Sequence, residues 1–207
     1  MAEQWIEWAR KLQAVAQCGL TYTRNPFEIE RYEQIREVAA EILANASDLD
    51  VKQIEGLFAE EAGYATPKVD VRGVVFDGDR ILLVKELRDG RWTLPGGWAD
   101  VNDSPAEATV REIYEESGYK TRAVKLLACY DRSNARHGHT AYGYHIYKLF
   151  FQCELLGGHA TDSIETGGAA FFREDEIPDL SLPRVTPSQI ARFFDHYRHP
   201  EWPTDFD

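Results

Sequence analysis

The apolar positions along this chain change their period once, near residue 66. Before that point they repeat at helical spacing. Trp5, Trp8, Ala9, Leu12, Val15 and Ala16 fall on one such repeat and predict a first helix. Asn25-Pro26-Phe27-Glu28 then supplies an N-cap, a proline at the first helical position and an acid at N3, the start of a second helix. Along it Tyr32, Ile35, Ala39, Ile42 and Ala46 form a seam close to heptad period. Ser47-Asp48-Leu49-Asp50 opens a shorter helix ending near Gly63, and Thr66-Pro67 punctuates the boundary.

Beyond Pro67 the pattern shortens to β-branched runs. Val69–Phe76 and Ile81–Val84 flank the turn Asp77-Gly78-Asp79, and Trp92–Leu94 runs into Pro95-Gly96-Gly97. Val124–Tyr130, Tyr144–Glu154 and Gly168–Phe172 read as further strands, and Thr186-Pro187 opens a last helix to about Tyr197. One helix interrupts the strands. Ser104-Pro105-Ala106-Glu107 is its capping box and Gly118 fits its C′ position. The expectation is an α+β chain with a helical domain at 1–65 and a strand-rich sandwich at 66–207.

The interrupting helix has two unlike faces. Ala106, Val110, Ile113 and Ser117 suit a sheet, whereas Glu112, Glu115 and Glu116 stand at i, i+3 and i+4 on a shared stripe. Three anions that close repel one another. A hard divalent cation with oxygen ligands would compensate them, which points to metal-assisted chemistry on a phosphate ester or anhydride. Taken alone, the three glutamates fit a solvated acidic surface equally well.

Composition narrows the classes. With 207 residues, 43% of them hydrophobic and 12% aromatic, the chain can bury a real core, and no apolar run reaches the length of a membrane span. MAEQWIEWARK has neither the basic start nor the apolar middle of a secretory signal. Cys18, Cys129 and Cys153 are odd in number and widely spaced, as buried thiols in a reducing cytoplasm would be. The net charge of −12 is spread along the chain without a basic arm, which argues against nucleic-acid binding as the main role. An anionic small substrate remains allowed, because bound metal ions invert the local field.

The wider spacing favours the metal reading. Gly97, five residues, Asp103, seven residues, then Arg111-Glu112-Ile113-x-Glu115-Glu116-x-Gly118-Tyr119 resembles the Nudix hydrolase signature. Two positions depart from it: Asp103 stands where Glu is usual, and Tyr119 fills the last apolar place. The resemblance implies the Nudix α/β/α sandwich and hydrolysis of a nucleoside diphosphate linked to another group. By position it makes Glu112, Glu115 and Glu116, helped by the Gly97 carbonyl, ligands of Mg²⁺ or Mn²⁺. Arg111 becomes the brace of the glutamates and Asp103 its orienting acid. For the proton acceptor the resemblance points to a loop beyond the box, where Glu165 joins Glu115 and Glu116 as a candidate.

Trp5-Ile6-x-Trp8-Ala9, Cys18-Gly19-Leu20-Thr21-Tyr22 and Arg31-Tyr32-Glu33-Gln34-Ile35-Arg36 are similar to a bacterial Nudix group with an N-terminal helical domain, which includes CDP-choline pyrophosphatases. Tyr130-Asp131-Arg132, Lys148-Leu149-Phe150-Phe151 and Phe171-Phe172 extend the likeness through the chain. It implies a homodimer and cleavage of CDP-choline to CMP and phosphocholine, with ADP-ribose as the alternative. Two further alternatives are 3′→5′ trimming of short RNA ends and a Nudix-fold sensor that binds without cleaving. Arg132, Trp98 and Lys148 are the candidate substrate contacts. His137-Gly138-His139 departs from what the choline group leads one to expect; it reads as a solvated loop, with metal binding the other reading.

Overall fold

A computed structural model describes residues 2–47, 50–140, 142–161, 163 and 166–207, with Ala2 and Glu3 as backbone only. The chain divides into two compact units. The first contains α1 (Ala2–Tyr22), α2 (Pro26–Asn45) and α3 (Val51–Ala59). Ile6, Ala9, Ala39, Ala40, Leu43, Ile54 and Phe58 form its core. Small residues let α1 and α2 approach closely: a Cβ on Gly19 would lie 2.4 Å from the Tyr32 ring. That closeness selects the buried face of α1. Ile6, Ala9 and Ala16 are inside with Gln13 and Gln17, whereas Trp5, Trp8 and Val15 are exposed. Trp5, Trp8 and Val15 therefore each lie one position away from a residue of its packing stripe.

The cap of α2 is the expected one, with Asn25 Oδ1 accepting from Phe27 N at 3.0 Å. α3 starts later than its first cap signal. Asp50 and Gln53 form its capping box, while Ser47 donates back to the Leu43 carbonyl. Asp48 and Leu49, part of the expected start, lie outside the described residues.

Residues 142–145 also belong to this unit, although sequence order puts them between strands of the other. Arg10 donates to the Tyr142 carbonyl from Nε at 3.2 Å and Nη2 at 2.5 Å. Gly143 backs onto Leu43, and the Tyr142 and Tyr144 rings meet edge to face. The strand expected from Tyr144 begins instead at Ile146, because this segment is held by α1 and α2.

The second unit holds β1 (Lys68–Asp77), β2 (Arg80–Glu86), β3 (Trp92–Thr93), α4 (Pro105–Ser117), β4 (Tyr119–Asp131), β5 (Ile146–Gly158), β6 (Thr166–Arg173), α5 (Pro187–Arg198) and β7 (Asp205–Phe206). The strand order is β3-β2-β1-β5-β4-β7, with β6 also on β2. β1 runs parallel to β5 and pairs with β2 only beside their turn, at Phe76↔Ile81 and Asp77↔Arg80. Past that turn the two strands part, and the backbone of residues 95–99 takes the freed edge of β1. Gly73 N donates to Pro95 O at 2.8 Å, Val71 N to Gly97 O at 2.8 Å and Ala99 N to Val69 O at 3.0 Å.

Alternation along the strands fixes the layers. Val74, Ile81 and Leu83 pack with Ile190, Phe193 and Phe194 of α5. Val75 and Leu82 pack with Ile113 of α4. The two helices thus cover opposite faces, giving an α/β/α sandwich. Gly73 marks where α4 crosses, since a Cβ there would fall 2.4 Å from Ile113 Cδ1. β4 starts directly after Gly118, earlier than its apolar run indicates, and the two-residue β7 has no sequence signal. No helix among the described residues is long and apolar enough to cross a membrane.

Candidate active site

Helix α4 places the acidic stripe. Ser104 and Glu107 complete a capping box, Pro105 occupies the first turn, and Gly118 ends the helix in the left-handed region at φ 76°. Glu116 is buried at 6% exposure, Glu112 is partly buried and Glu115 is exposed.

Arg111 organises the outer part of the stripe. Its Nη1 donates to Glu112 Oε1 at 2.9 Å and to Glu115 Oε2 at 3.0 Å. Its Nε reaches Asp103 Oδ2 and its Nη2 reaches Asp100 Oδ2, both at 3.1 Å. One guanidinium therefore spans four carboxylates. Asp103, despite its shorter side chain, does meet Arg111.

Glu116 sits deeper. Its Oε2 accepts from the Gly96 amide at 2.7 Å, and its backbone carbonyl accepts from Thr166 Oγ1 at 2.8 Å. Burial pushes its carboxyl up to about 8; Arg72 and the Gly96 amide oppose this, and Glu112 and Glu86 add to it. Burial also raises Glu112, against the pull of Arg111. The turn beneath them has no room for side chains. A Cβ on Gly96 would meet the Val71 carbonyl at 2.1 Å, and one on Gly97 would lie 3.0 Å from Glu112 Oε2. The Gly97 carbonyl accepts from Val71 N and retains a second lone pair.

As they stand, Glu112 and Glu115 turn oxygens to Arg111 and Glu116 turns one to Gly96. Among the described residues no three His, Cys, Asp or Glu side chains are gathered as a metal cage. The donor chemistry nonetheless fits a hard divalent ion: all the donors are oxygens, and burial pushes two of the carboxyls upward. Glu112, Glu115, Glu116 and the Gly97 carbonyl are the groups that could hold it.

The candidate substrate contacts divide. Trp98 is exposed and bridges Asp70 through the backbone. Lys148 is 1% exposed, with its Nζ 2.7 Å from Asp70 Oδ1. Burial, with Arg72 and Arg132 nearby, lowers it to about 8 despite Asp70. Arg132 is buried too and donates to the Pro183 carbonyl at 3.1 Å. Glu165 lies outside the described residues.

The two loop histidines are neither solvated nor near the glutamate stripe in their contacts. His137 is buried, lies tilted against the Tyr130 ring and meets Asp207 Oδ1 at 2.9 Å. His139 Nδ1 faces the Leu182 carbonyl at 2.8 Å, and its Nε2 faces Gln189 Nε2 at 3.0 Å. Both serve tertiary contacts.

Sequence reasoning missed a buried charged row beside the site. Asp70 accepts a fork from Arg72, Nε to Oδ1 at 2.9 Å and Nη2 to Oδ2 at 2.8 Å. Arg184 Nε lies 2.8 Å from Glu86 Oε1. Alternating polar residues in Val69–Phe76 were the available signal, but that pattern ordinarily marks a solvated face.

Comparison with known proteins bears on the family. Residues 66–196 match the model of the NUDIX domain. The chain is a Nudix hydrolase. Residues 3–58 of this hydrolase match a model described as UDP-X-like, N-terminal oligomerisation domain. It is 46% identical over 204 residues to the putative ADP-ribose pyrophosphatase YjhB of Bacillus subtilis, covering 99% of this chain and 97% of that protein. Among solved structures, a UDP-X diphosphatase shares 32% identity at a TM-score of 0.63, covering 100% of this chain and 99% of its own. An ADP-ribose pyrophosphatase from Streptococcus suis shares 39% identity at a TM-score of 0.61, covering 69% of this chain and 100% of its own. The chain is a pyrophosphatase of the Nudix family.

Proposed function

We propose that this hydrolase splits the diphosphate bond of a nucleoside diphosphate linked to a second group, with Mg²⁺ or Mn²⁺ as cofactor. The observation that carries this is the glutamate stripe of α4, aligned by Arg111 on one side and by the Gly96 amide on the other. Glu112, Glu115, Glu116 and the Gly97 carbonyl would hold the cation. When bound it would withdraw charge from the diphosphate and lower the pKa of an attacking water. Glu115, Glu116 and Glu165 are the candidates to take the proton from that water. Trp98, exposed one residue from Gly97, is offered to stack on a base. Lys148 and Arg132, both buried, would act through their positive charge rather than by direct contact.

For the second group, a sugar moves ahead of choline. The 46% identical relative that matches end to end is named for ADP-ribose, whereas CDP-choline rested on the N-terminal and flanking motifs. ADP-ribose would give AMP and ribose phosphate. The exposed face of α1, with Trp5, Trp8 and Val15, supports a homodimer built through the helical unit. The free thiols Cys18, Cys129 and Cys153 support a cytoplasmic setting.

The test is a panel of ADP-ribose, UDP-sugars, CDP-choline, NADH, dinucleoside polyphosphates and short RNA, with Mg²⁺ or Mn²⁺ and phosphorus NMR of the products. Cleavage of ADP-ribose or a UDP-sugar between the phosphorus atoms, abolished by EDTA, is expected. No cleavage of any compound would favour a sensor, and CDP-choline alone being cleaved would restore choline as the second group.

A further inference from the structure

Arg72 is 4% exposed, yet its positive charge exceeds what its ion-pair partner requires. Asp70 is already met by Lys148 at 2.7 Å, so a second buried cation is not needed to neutralise it. Burying a guanidinium is costly, and an apolar side chain of similar volume is often at least as stable in such a place. The third direction of the guanidinium shows what it adds. Nη1 donates to the Leu94 carbonyl at 3.1 Å, at the entry to the turn Leu94-Pro95-Gly96-Gly97. That turn lies against the Arg72 backbone itself: a Cβ on Gly96 would come within 2.9 Å of Arg72 Cα. Two residues beyond Leu94, the Gly96 amide holds Glu116. The contacts run from Asp70 to Arg72, to the Leu94 carbonyl, to the Gly96 amide, to Glu116.

We propose that Arg72 is a positioning residue of the active site, which fixes the Leu94–Gly97 turn and so the place of Glu116. This rests on reading Glu116 as part of the metal-holding stripe. The fork geometry makes arginine specific here. A lysine keeps the charge but is a point donor, unable to grip both Asp70 oxygens and the Leu94 carbonyl in one plane.

The test compares the full chain with Arg72→Lys and Arg72→Met. Each is measured for kcat and KM on the compound the wild type cleaves best, for Mn²⁺ binding by electron paramagnetic resonance titration without substrate, and for thermal melting. Groups that support metal ligands typically matter by about 10- to 100-fold in metal affinity or activity. The expected result for Arg72→Lys is a kcat loss of at least about tenfold, with KM changed less than about threefold. Mn²⁺ binding weakens by about tenfold while the melting transition stays cooperative. Arg72→Met changes the same quantities further. A KM rise with unchanged kcat would overturn the proposal and make Arg72 a substrate contact. Wild-type kcat and Mn²⁺ affinity in both variants would overturn it as well, and loss of folding in both would assign Arg72 to the core. An inactive wild type tells against the proposed reaction instead, and the Mn²⁺ titration still decides on Arg72.

Discussion

Glu116 is a carboxyl placed where ionisation is opposed by burial and by two neighbouring acids, with one amide and one buried guanidinium in its favour. Replacing it with glutamine keeps the shape and an acceptor for the Gly96 amide while removing the charge. Glu116→Gln is expected to lower kcat by at least about 100-fold, the scale of losing a charged group that serves a metal-assisted transition state. The melting temperature should not fall, because the amide matches the carboxyl in shape, keeps the acceptor for Gly96 and makes no cavity. Steady-state kinetics beside calorimetry check this, and unchanged turnover would remove Glu116 from the metal-holding set. At this scale the sequence was informative where partners are close along the chain. Arg111 and its glutamates share one helix, so spacing alone brought them together. Lys148 meets Asp70 only through the pairing of β1 with β5, and no local pattern announces that. Lys148 was visible as a cation, but not its burial against a carboxylate 78 positions away.

Among the elements, α4 was readable at both ends and α2 at its start, because capping is local chemistry. The strand ends were less so. β4 and β5 lengthen by pairing with each other, and β7 exists only because β4 offers an edge at Ala128 and Cys129. The loop between β4 and β5 shows the same dependence: its histidines read as solvent-facing, yet His139 is pinned to α5 through Gln189. Burial lowers His139 to about 4 from its ordinary 6.5. Between those values the unfolded chain takes up a proton that the folded chain refuses. Stability therefore falls as pH drops from about 6.5 towards 4, and this residue contributes no pH dependence above that window. The slope from one such group is at most about 1.4 kcal/mol per pH unit. Urea unfolding across pH 4 to 7 should show a shallower slope in His139→Gln; an identical slope would contradict the assignment.

At the scale of the molecule, the apolar face left outside the α1 packing stripe is the feature with most consequence for assembly. Trp5 and Trp8 meet each other edge to face at 5.0 Å and stay 48% and 43% exposed. A charge there should break a dimer without unfolding the helical unit, whose core uses Ile6 and Ala9 instead. Trp8→Glu is expected to reduce the mass measured by light scattering from that of two chains to that of one, with helix content retained by circular dichroism. A wild type that runs as a single chain would exclude the homodimer. The fold class was legible here because the switch from helical to alternating period is a whole-chain signal. Which side of α1 packs inward was not, since that depends on the small residues of α2.

The Arg10 contact with the Tyr142 carbonyl bears on how this protein can be dissected. The chain leaves the helical unit at Pro67 and returns to it for residues 142–145 before β5 begins. A cut at the apparent linker would thus separate Arg10 and Leu43 from the segment they hold, leaving the strand that carries Lys148 to start from a loose end. The helices are no detachable module: the two units are interleaved along the chain, and any gene fusion, truncation or domain exchange has to carry both pieces together.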